Sequence, residues 1–368
     1  GFIMRSKSPA GCRVVPLFIT ILLCVEGICY FLYMQSLSCI KPPTLHRNIS
    51  KGEEEEPSQT ANQILQHRDR DTVVLVWKWP FGQEMKLRSC SKLFHITGCR
   101  VTDERAEYDE AHAVMFHHRD IYRNLSELLR MRRPPLQKWV WMNMESPENS
   151  QRWDQLDGLF NLTASYRRDS DVWVPYGRIV PAAPKAFRFQ IPPKDKLVCW
   201  IVSNWDSNLK RVQYFNKLQK HVRIQVYGRV FKKNLTLEEY HKTVSSCKFY
   251  LSFENSIYKD YFTEKLFNPL DIGTVPVVLG PPRENYEEFI PADSFIHVDD
   301  FKSPQELAER LKFLDQNQEA YERYFTWRQY FTAKVSYFSL EQACCICDYI
   351  KRHKEYRVAK NLSKWYWG

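Results

Sequence analysis

Three apolar segments of the sequence end on groups that could do chemistry. Trp139-Val-Trp-Met-Asn-Met-Glu145 runs through a hydrophobic stretch to a single carboxylate, and Trp200-Ile201-Val-Ser203-Asn204 ends on small polar side chains, with Arg211 a little further on. Phe253-Glu254-Asn255 leads through Lys259 and Tyr261 to Thr263-Glu264-Lys265, which reads as a helix start. Cations beside backbone N–H groups at a helix start suit a diphosphate leaving group, because they sit where its charge appears. Ordinary alternatives exist for each group: Glu145 paired with an arginine, Lys265 solvated on its helix, Asn255 forming a turn.

These groups need elements to hold them. Short runs rich in β-branched and aromatic residues recur at Thr72–Trp79, Ala111–His118, Lys138–Glu145, Lys196–Asn204, Arg223–Gly228, Phe249–Asn255, Val275–Gly280 and Ser294–Val298. Several are nearly continuous rather than alternating, which suits parallel strands covered on both faces. Between them, Leu209, Val212, Phe215 and Leu218 fall on one helical face, as do Leu307, Leu311 and Leu314 behind Pro304. Alternating strands and helices predict an α/β protein with doubly wound sheets, and ligands at the carboxyl ends of the strands. Roughly 295 residues from Thr72 onward exceed what one core usually serves, so two domains are expected. The proline-rich stretch Pro181–Pro193 divides them.

The N-terminal region sets the expected compartment. The run Val14–Met34 carries one charge, Glu26, with Arg5, Lys7 and Arg13 before it and Glu53–Glu56 beyond it. Its apolar side chains contribute roughly −4 to −7 kcal/mol to insertion against about +3 for a mid-span glutamate. The positive-inside rule then leaves a short cytoplasmic tail and places the remainder across the membrane. A cleaved signal peptide is the alternative, but the run is long and no small-x-small site follows it. Lys41–Arg70 holds prolines, consecutive glutamates and few apolar residues, and reads as a stalk. Sequons at Asn48, Asn124, Asn161, Asn234 and Asn361 agree with a lumenal address. So do the cysteines beyond the span, Cys90, Cys99, Cys199, Cys247, Cys344, Cys345 and Cys347, for which structural disulfides are expected.

Other classes find little support. Neither GxGxxG nor GxxxxGK[ST] occurs. The net charge of +10 comes from dispersed Lys and Arg without a nucleic-acid-binding motif, so no nucleic-acid partner is expected. His117 and His118 are adjacent on a strand and point to opposite faces, so they cannot chelate as a unit. Asp169-Ser-Asp171 resembles a metal-binding DxD, but beside Arg167 and Arg168 it is expected to form ion pairs. Cys344-x-x-Cys347 lacks the second half of a zinc site. No required metal is expected.

At this point the residues carry a resemblance. Cys247–Leu270, CKFYLSFENSIYKDYFTEKLFNPL, resembles the signature of the α1,3-fucosyltransferases, glycosyltransferase family 10. VWKWPFGQ, HHRDI, WMNMESP, YRRDSDVWVPYG, VCWIVSNW and VPVVLGPPRENYEEFIPADSFIHVDDF are similar to the same family, so the likeness extends from Thr72 to Gly368. It is greatest to the vertebrate Lewis-x-forming members.

The resemblance implies a GT-B fold. It divides the chain into a cytoplasmic tail (1–13), a transmembrane signal-anchor (14–34), a stalk (35–71), an acceptor domain (72–177), a GDP-fucose domain (178–335) and a C-terminal segment tied to the acceptor domain (336–368). It implies a type II Golgi membrane enzyme that transfers fucose, with inversion, from GDP-β-L-fucose to the 3-hydroxyl of GlcNAc in N-acetyllactosamine-terminated glycans; the alternative is a catalytically impaired or non-catalytic lumenal glycan-binding member of the same fold. No cofactor is then required and a divalent cation is at most stimulatory. A homodimer is among the assemblies the resemblance admits.

By motif position, Glu145 is the implied base. Tyr176, Ile201, Ser203, Asn204, Arg211, Tyr250, Asn255, Tyr261, Glu264 and Lys265 join it around the donor. Gln83 and Arg119 face the acceptor, and Arg119 resembles the version selecting N-acetyllactosamine and the α1,3 linkage. The implied disulfides are Cys90–Cys344, Cys99–Cys347 and Cys199–Cys247, with Cys345 an extra thiol. Where relatives read EKLYNAFLAGSVP, this chain carries Pro269 and Asp271. A proline there is expected to cost about 3 kcal/mol if it is internal to the helix, and less if the helix already ends.

Overall fold

The computed structural model describes residues 71–368 except 88, 122–124 and 183–188. The apolar run Val14–Met34, the stalk and the sequons at Asn48 and Asn124 lie outside the described residues. No helix among the described residues is long and apolar enough to cross a membrane.

Two parallel sheets organise the chain. The first comprises β1 (Thr72–Val76), β2 (Cys99–Thr102), β3 (Ala113–His117), β4 (Lys138–Asn143), β5 (Leu162–Ser165) and β6 (Val172–Trp173), in the order β2-β1-β3-β4-β5-β6. β1, β3 and β4 are buried at every position, as strands covered on both faces must be. An antiparallel ribbon follows, β7 (Gly177–Pro181) paired with the late strand β13 (Phe331–Val335). The second sheet contains β8 (Lys196–Ile201), β9 (Ile224–Tyr227), β10 (Cys247–Phe253), β11 (Val275–Leu279) and β12 (Ile296–His297), in the order β12-β11-β10-β8-β9.

The eight expected strand segments match β1, β3, β4, β8, β9, β10, β11 and β12, with ends shifted by a few residues. β2, β5, β6, β7 and β13 were not visible as patterns, being short or, in β7 and β13, partly exposed. The helix Lys210–Leu218 buries Val212, Phe215 and Leu218 as its periodicity requires, and it buries Arg211 as well.

The chain ends back on the first sheet. The helix Leu340–Arg352 lies against β1 and β2. It is bonded there by Cys344 to Cys90 and by Cys347 to Cys99, while Cys199 and Cys247 join the neighbouring strands β8 and β10. Cys345 is disulfide-bonded as well. This corrects the expectation of an extra thiol, and none of the seven described cysteines is free.

Pro269 lies inside the helix Glu264–Ile272, four residues after Lys265. The lost main-chain bond would leave the Lys265 carbonyl without its donor. Ser252 of β10 fills that vacancy, its hydroxyl donating to the Lys265 carbonyl at 2.6 Å. The Pro269 carbonyl accepts from Gly273 and Thr274 at 2.9 and 2.8 Å, so the helix closes one turn later. The expected cost of the proline is therefore partly offset by the sheet beneath it. Asp271 is exposed.

Candidate active site

The carboxyl ends of β4, β8 and β10 converge on one region. Glu145 stands just beyond β4, and its main chain is fixed from several directions. Its N–H donates to Asn143 Oδ1 at 3.2 Å and its carbonyl accepts from the Tyr366 hydroxyl of the C-terminal helix Leu362–Trp367. The preceding Met144 carbonyl accepts from Tyr176 at 2.6 Å. The carboxylate is left half-buried, with one contact from the other sheet's side, the Tyr261 hydroxyl 3.5 Å from Oε2. A second bridge between the sheets joins the Ser256 and Ser146 hydroxyls at 2.6 Å.

Opposite Glu145 lies a cluster of charges. Arg211 is 3% exposed; it donates to the Asn204 carbonyl, and its buried Nε has no partner. Burial lowers its pKa, against the pull of Glu254. A buried guanidinium with an unused donor calls for an anion.

Lys265 begins the helix Glu264–Ile272. Its Nζ donates to Thr263 Oγ1 and Glu264 Oε1, each at 3.0 Å, and lies 3.5 Å from Glu254 Oε2. Burial pulls its pKa down, but Glu264 and Glu254 outweigh this and hold the ammonium charged. Glu264 is itself about half exposed; burial raises its pKa, but Lys265 wins and holds it below the usual carboxylate range.

Glu254 anchors this helix start. Its buried carboxylate accepts the Thr263 N–H at 2.7 Å and the Thr263 hydroxyl at 3.1 Å. Burial raises its pKa above the usual range, with Lys265 opposing. Sequence reading passed over Glu254 in favour of its neighbour Asn255. A carboxylate inside an otherwise apolar strand end was the available signal. Thr263, Ser256, Ser146 and Tyr366 were also missed as supports.

The remaining expected donor residues fall around this cluster with unequal involvement. Tyr250 is buried, its hydroxyl 3.5 Å from the Ile201 carbonyl. Asn255 is half-buried and accepts from the Ser256 hydroxyl at 3.2 Å. Ser203 and Asn204 lie on the exposed loop after β8. Tyr176 and Tyr261 meet edge to face at 6.5 Å, and burial raises both phenols well above their usual pKa. Gly177 is needed here, because a Cβ would stand 2.3 Å from Phe267 of the Glu264–Ile272 helix.

Gln83 and Arg119 form a separate, exposed group. Phe81 has φ +60° and donates its N–H to Asp120 at 2.9 Å, and Asp120 also binds His117 at 2.6 Å. The Arg119 guanidinium lies 5.2 Å above the Phe81 ring. His118 turns away into the core, between Trp141 and the Gln151 carbonyl. The two histidines therefore have unrelated partners. Asp169 pairs with Arg167 and Asp171 with Arg357. No metal-holding group of three or more His, Cys, Asp or Glu occurs among the described residues.

Of the described sequons, Asn234 and Asn361 are exposed. Asn161 is 1% exposed, and its amide is engaged by Trp139 N–H, Arg133 and the Arg357 carbonyl.

Residues 191–365 match the family model described as glycosyltransferase family 10 (fucosyltransferase), C-terminal, and residues 69–177 match fucosyltransferase, N-terminal. The chain is 46% identical over 361 residues to 4-galactosyl-N-acetylglucosaminide 3-alpha-L-fucosyltransferase 9 of Bos taurus, covering 96% of this chain and 97% of that one. It is 49% identical over 321 residues to the Homo sapiens protein of that name, covering 85% and 89%. A 3-galactosyl-N-acetylglucosaminide 4-alpha-L-fucosyltransferase of Bos taurus is 42% identical, covering 92% and 93%. Among solved structures, an alpha1,3-fucosyltransferase with GDP-fucose matches at 18% identity and a TM-score of 0.47, covering 76% of this chain and 85% of that one.

Proposed function

The chain belongs to glycosyltransferase family 10, the fucosyltransferases, and on that premise we propose that it transfers L-fucose from GDP-β-L-fucose to the 3-hydroxyl of GlcNAc in N-acetyllactosamine. The observation that carries this reading is the arrangement of Glu145 across from Arg211 and Lys265, with Tyr261 reaching from the cationic side to the carboxylate. Membership supports the GT-B reading of the two parallel sheets, with the donor held by the second.

In this reading Glu145 takes the proton from the acceptor 3-hydroxyl as that oxygen bonds to the anomeric carbon of fucose. The bond from that carbon to the β-phosphate oxygen breaks with inversion, and GDP leaves with the bonding electrons. Lys265, the unused Nε of Arg211 and the helix N-terminus take up the charge. One carboxylate suffices, because a single displacement needs a base and no nucleophile. Tyr176, Ile201, Ser203, Asn204, Tyr250, Asn255, Tyr261 and Glu264 hold the donor, and Gln83 and Arg119 meet the acceptor sugars.

The 3-alpha-L-fucosyltransferase names of relatives at 46% and 49% identity, against 42% for the 4-alpha type, support the linkage. The disulfides and the apolar run Val14–Met34 support a type II protein facing the Golgi lumen.

The test uses GDP-fucose with N-acetyllactosamine. The wild-type chain should form the fucosylated trisaccharide, and Glu145→Gln should lose transfer while still binding GDP. Transfer that survives this substitution would remove Glu145 from the role of base.

A further inference from the structure

Glu254 has no direct part in the transfer, yet its carboxylate is fully buried within the charge cluster that faces the donor. Lys248, on the strand that leads into it, pairs instead with Asp315 at 2.9 Å. From the helix Glu264–Ile272, Glu254 faces Lys265, at 3.5 Å, and beyond that Glu264. From the helix Lys210–Leu218 it faces Arg211. From the surrounding loops and the helix Arg283–Glu287 it faces the phenols of Tyr176, Tyr261 and Tyr286, all held neutral by burial. Gly280 permits the crowding: a Cβ there would stand 2.2 Å from the Tyr286 hydroxyl and 3.7 Å from Glu254 Cγ.

The charges of this cluster balance without a ligand. Two cations, Arg211 and Lys265, stand against two carboxylates, Glu254 and Glu264. A nucleotide-sugar diphosphate brings two negative charges and needs the same two cations. When Lys265 turns to phosphate, Glu254 loses the ammonium 3.5 Å from it and gains an anion nearby. Glu264, about half exposed, keeps water around its charge, whereas Glu254 is fully buried and keeps the donors of Thr263. A buried carboxylate that exchanges a cation for an anion is driven toward its neutral form.

We propose that binding of the nucleotide-sugar diphosphate is coupled to uptake of a proton by Glu254. The inference rests on the donor reading given above. The proton comes from solvent, no bond other than the carboxyl O–H forms, and the proton leaves again with the nucleotide product. Donor affinity then rises as pH falls, by at most tenfold per pH unit over the range in which Glu254 is ionised in the free protein and protonated in the complex.

Calorimetry with GDP-fucose and no acceptor tests this in two buffers of different ionisation enthalpy. The diphosphate of this donor is a diester with no proton to gain near neutral pH, so any proton taken up is the protein's. In the wild-type chain the heat should differ between buffers by an amount approaching one proton per donor. Glu254→Gln keeps an oxygen for the Thr263 N–H and should bind with buffer-independent heat, while Glu145→Gln should retain the buffer dependence. Buffer-independent heat in the wild-type chain, or uptake that persists in Glu254→Gln or vanishes in Glu145→Gln, would overturn the proposal.

Should Glu254→Gln fail to fold, infrared difference spectra of the wild-type chain decide instead. A protonated-carboxyl C=O band must appear on adding donor, and its absence refutes the uptake. If GDP-fucose shows no saturable binding at all, the donor reading fails, and the proposal with it. That outcome is distinct from binding without proton uptake.

Discussion

The two groups of residues proposed to hold the donor and to meet the acceptor are built to opposite rules. On the proposed donor side, charged groups are buried or half-buried and held by several others: Glu254 by Thr263 and Lys265, Lys265 by Thr263 and Glu264, and the helix start by Ser252 below it. On the acceptor side, Gln83 and Arg119 lie on the surface, and their neighbour Phe81 is held in a left-handed conformation by one bond to Asp120. Desolvated charges interact strongly and punish removal of a partner, whereas exposed ones are screened and largely interchangeable. Substitutions on the donor side should therefore be costly and act together, and those on the acceptor side mild and independent.

The largest effect is expected at Lys265. Lys265→Met removes the cation proposed to serve the diphosphate and leaves Glu254 buried against an apolar chain. Transfer measured as kcat/KM for GDP-fucose should fall at least about 100-fold. Combining it with Glu254→Gln should recover part of the loss, because the orphaned charge goes too. Equal activity in the single and double variants would show that the two side chains are not a unit.

Next in size is a pH effect beneath the acceptor side. Trp141 Nε1–H donates to His118 Nδ1 at 3.1 Å, and the other ring nitrogen faces the Gln151 carbonyl at 3.0 Å. The ring is therefore a neutral tautomer with both nitrogens committed, and burial pushes its pKa down to about 4. The unfolded chain takes up this proton near pH 6.5 and the folded one does not, so stability present at neutral pH is lost as pH falls. Between pH 7 and pH 5 the loss should be about 2 kcal/mol. Chemical denaturation at the two pH values measures it, and His118→Gln should flatten the difference. If the wild-type and variant curves shift alike, His118 is not the group responsible.

A third measurement isolates the proline. Ser252→Ala should destabilise by about 1–2 kcal/mol, because it leaves the buried Lys265 carbonyl without a donor. Pro269→Ala alone should change little, since Ser252 already serves that carbonyl. Adding Pro269→Ala to Ser252→Ala should restore most of the loss, because an alanine N–H can donate where proline could not. Strictly additive stabilities would break this account of the helix.

The same contrast explains what could be read from sequence. The donor side was legible because long apolar strands end on polar residues, and because a helix start with a lysine is a local pattern: Arg211, Tyr261 and Lys265 all sit in one cluster. Glu254 was invisible because its role depends on Thr263, nine residues away, folding back over it. Ser252 was invisible for a similar reason, since a hydroxyl inside a strand says nothing about a carbonyl on a neighbouring helix. The C-terminal helix with Tyr366 reaches Glu145 from 221 residues away, which no spacing rule reports. β2, β5 and β6 are two to four residues long and owe their conformation to pairing rather than pattern. Pro269 looked costly only because propensity is a local quantity, while its compensation is tertiary.

The smallest expected effect tests the acceptor side itself. The Arg119 guanidinium is exposed and meets the Phe81 ring at 5.2 Å, a contact worth about 0.5–1 kcal/mol at a surface. Arg119→Ala should therefore raise the KM for N-acetyllactosamine about threefold to fivefold through this contact, leaving kcat and the affinity for GDP-fucose unchanged. Phe81→Gly removes the ring but relieves the left-handed backbone, so it should match Arg119→Ala in acceptor KM without lowering stability. If either substitution weakens GDP-fucose binding by as much as it weakens acceptor binding, the two sides are coupled. The acceptor loop would then belong to the donor cluster rather than stand apart from it.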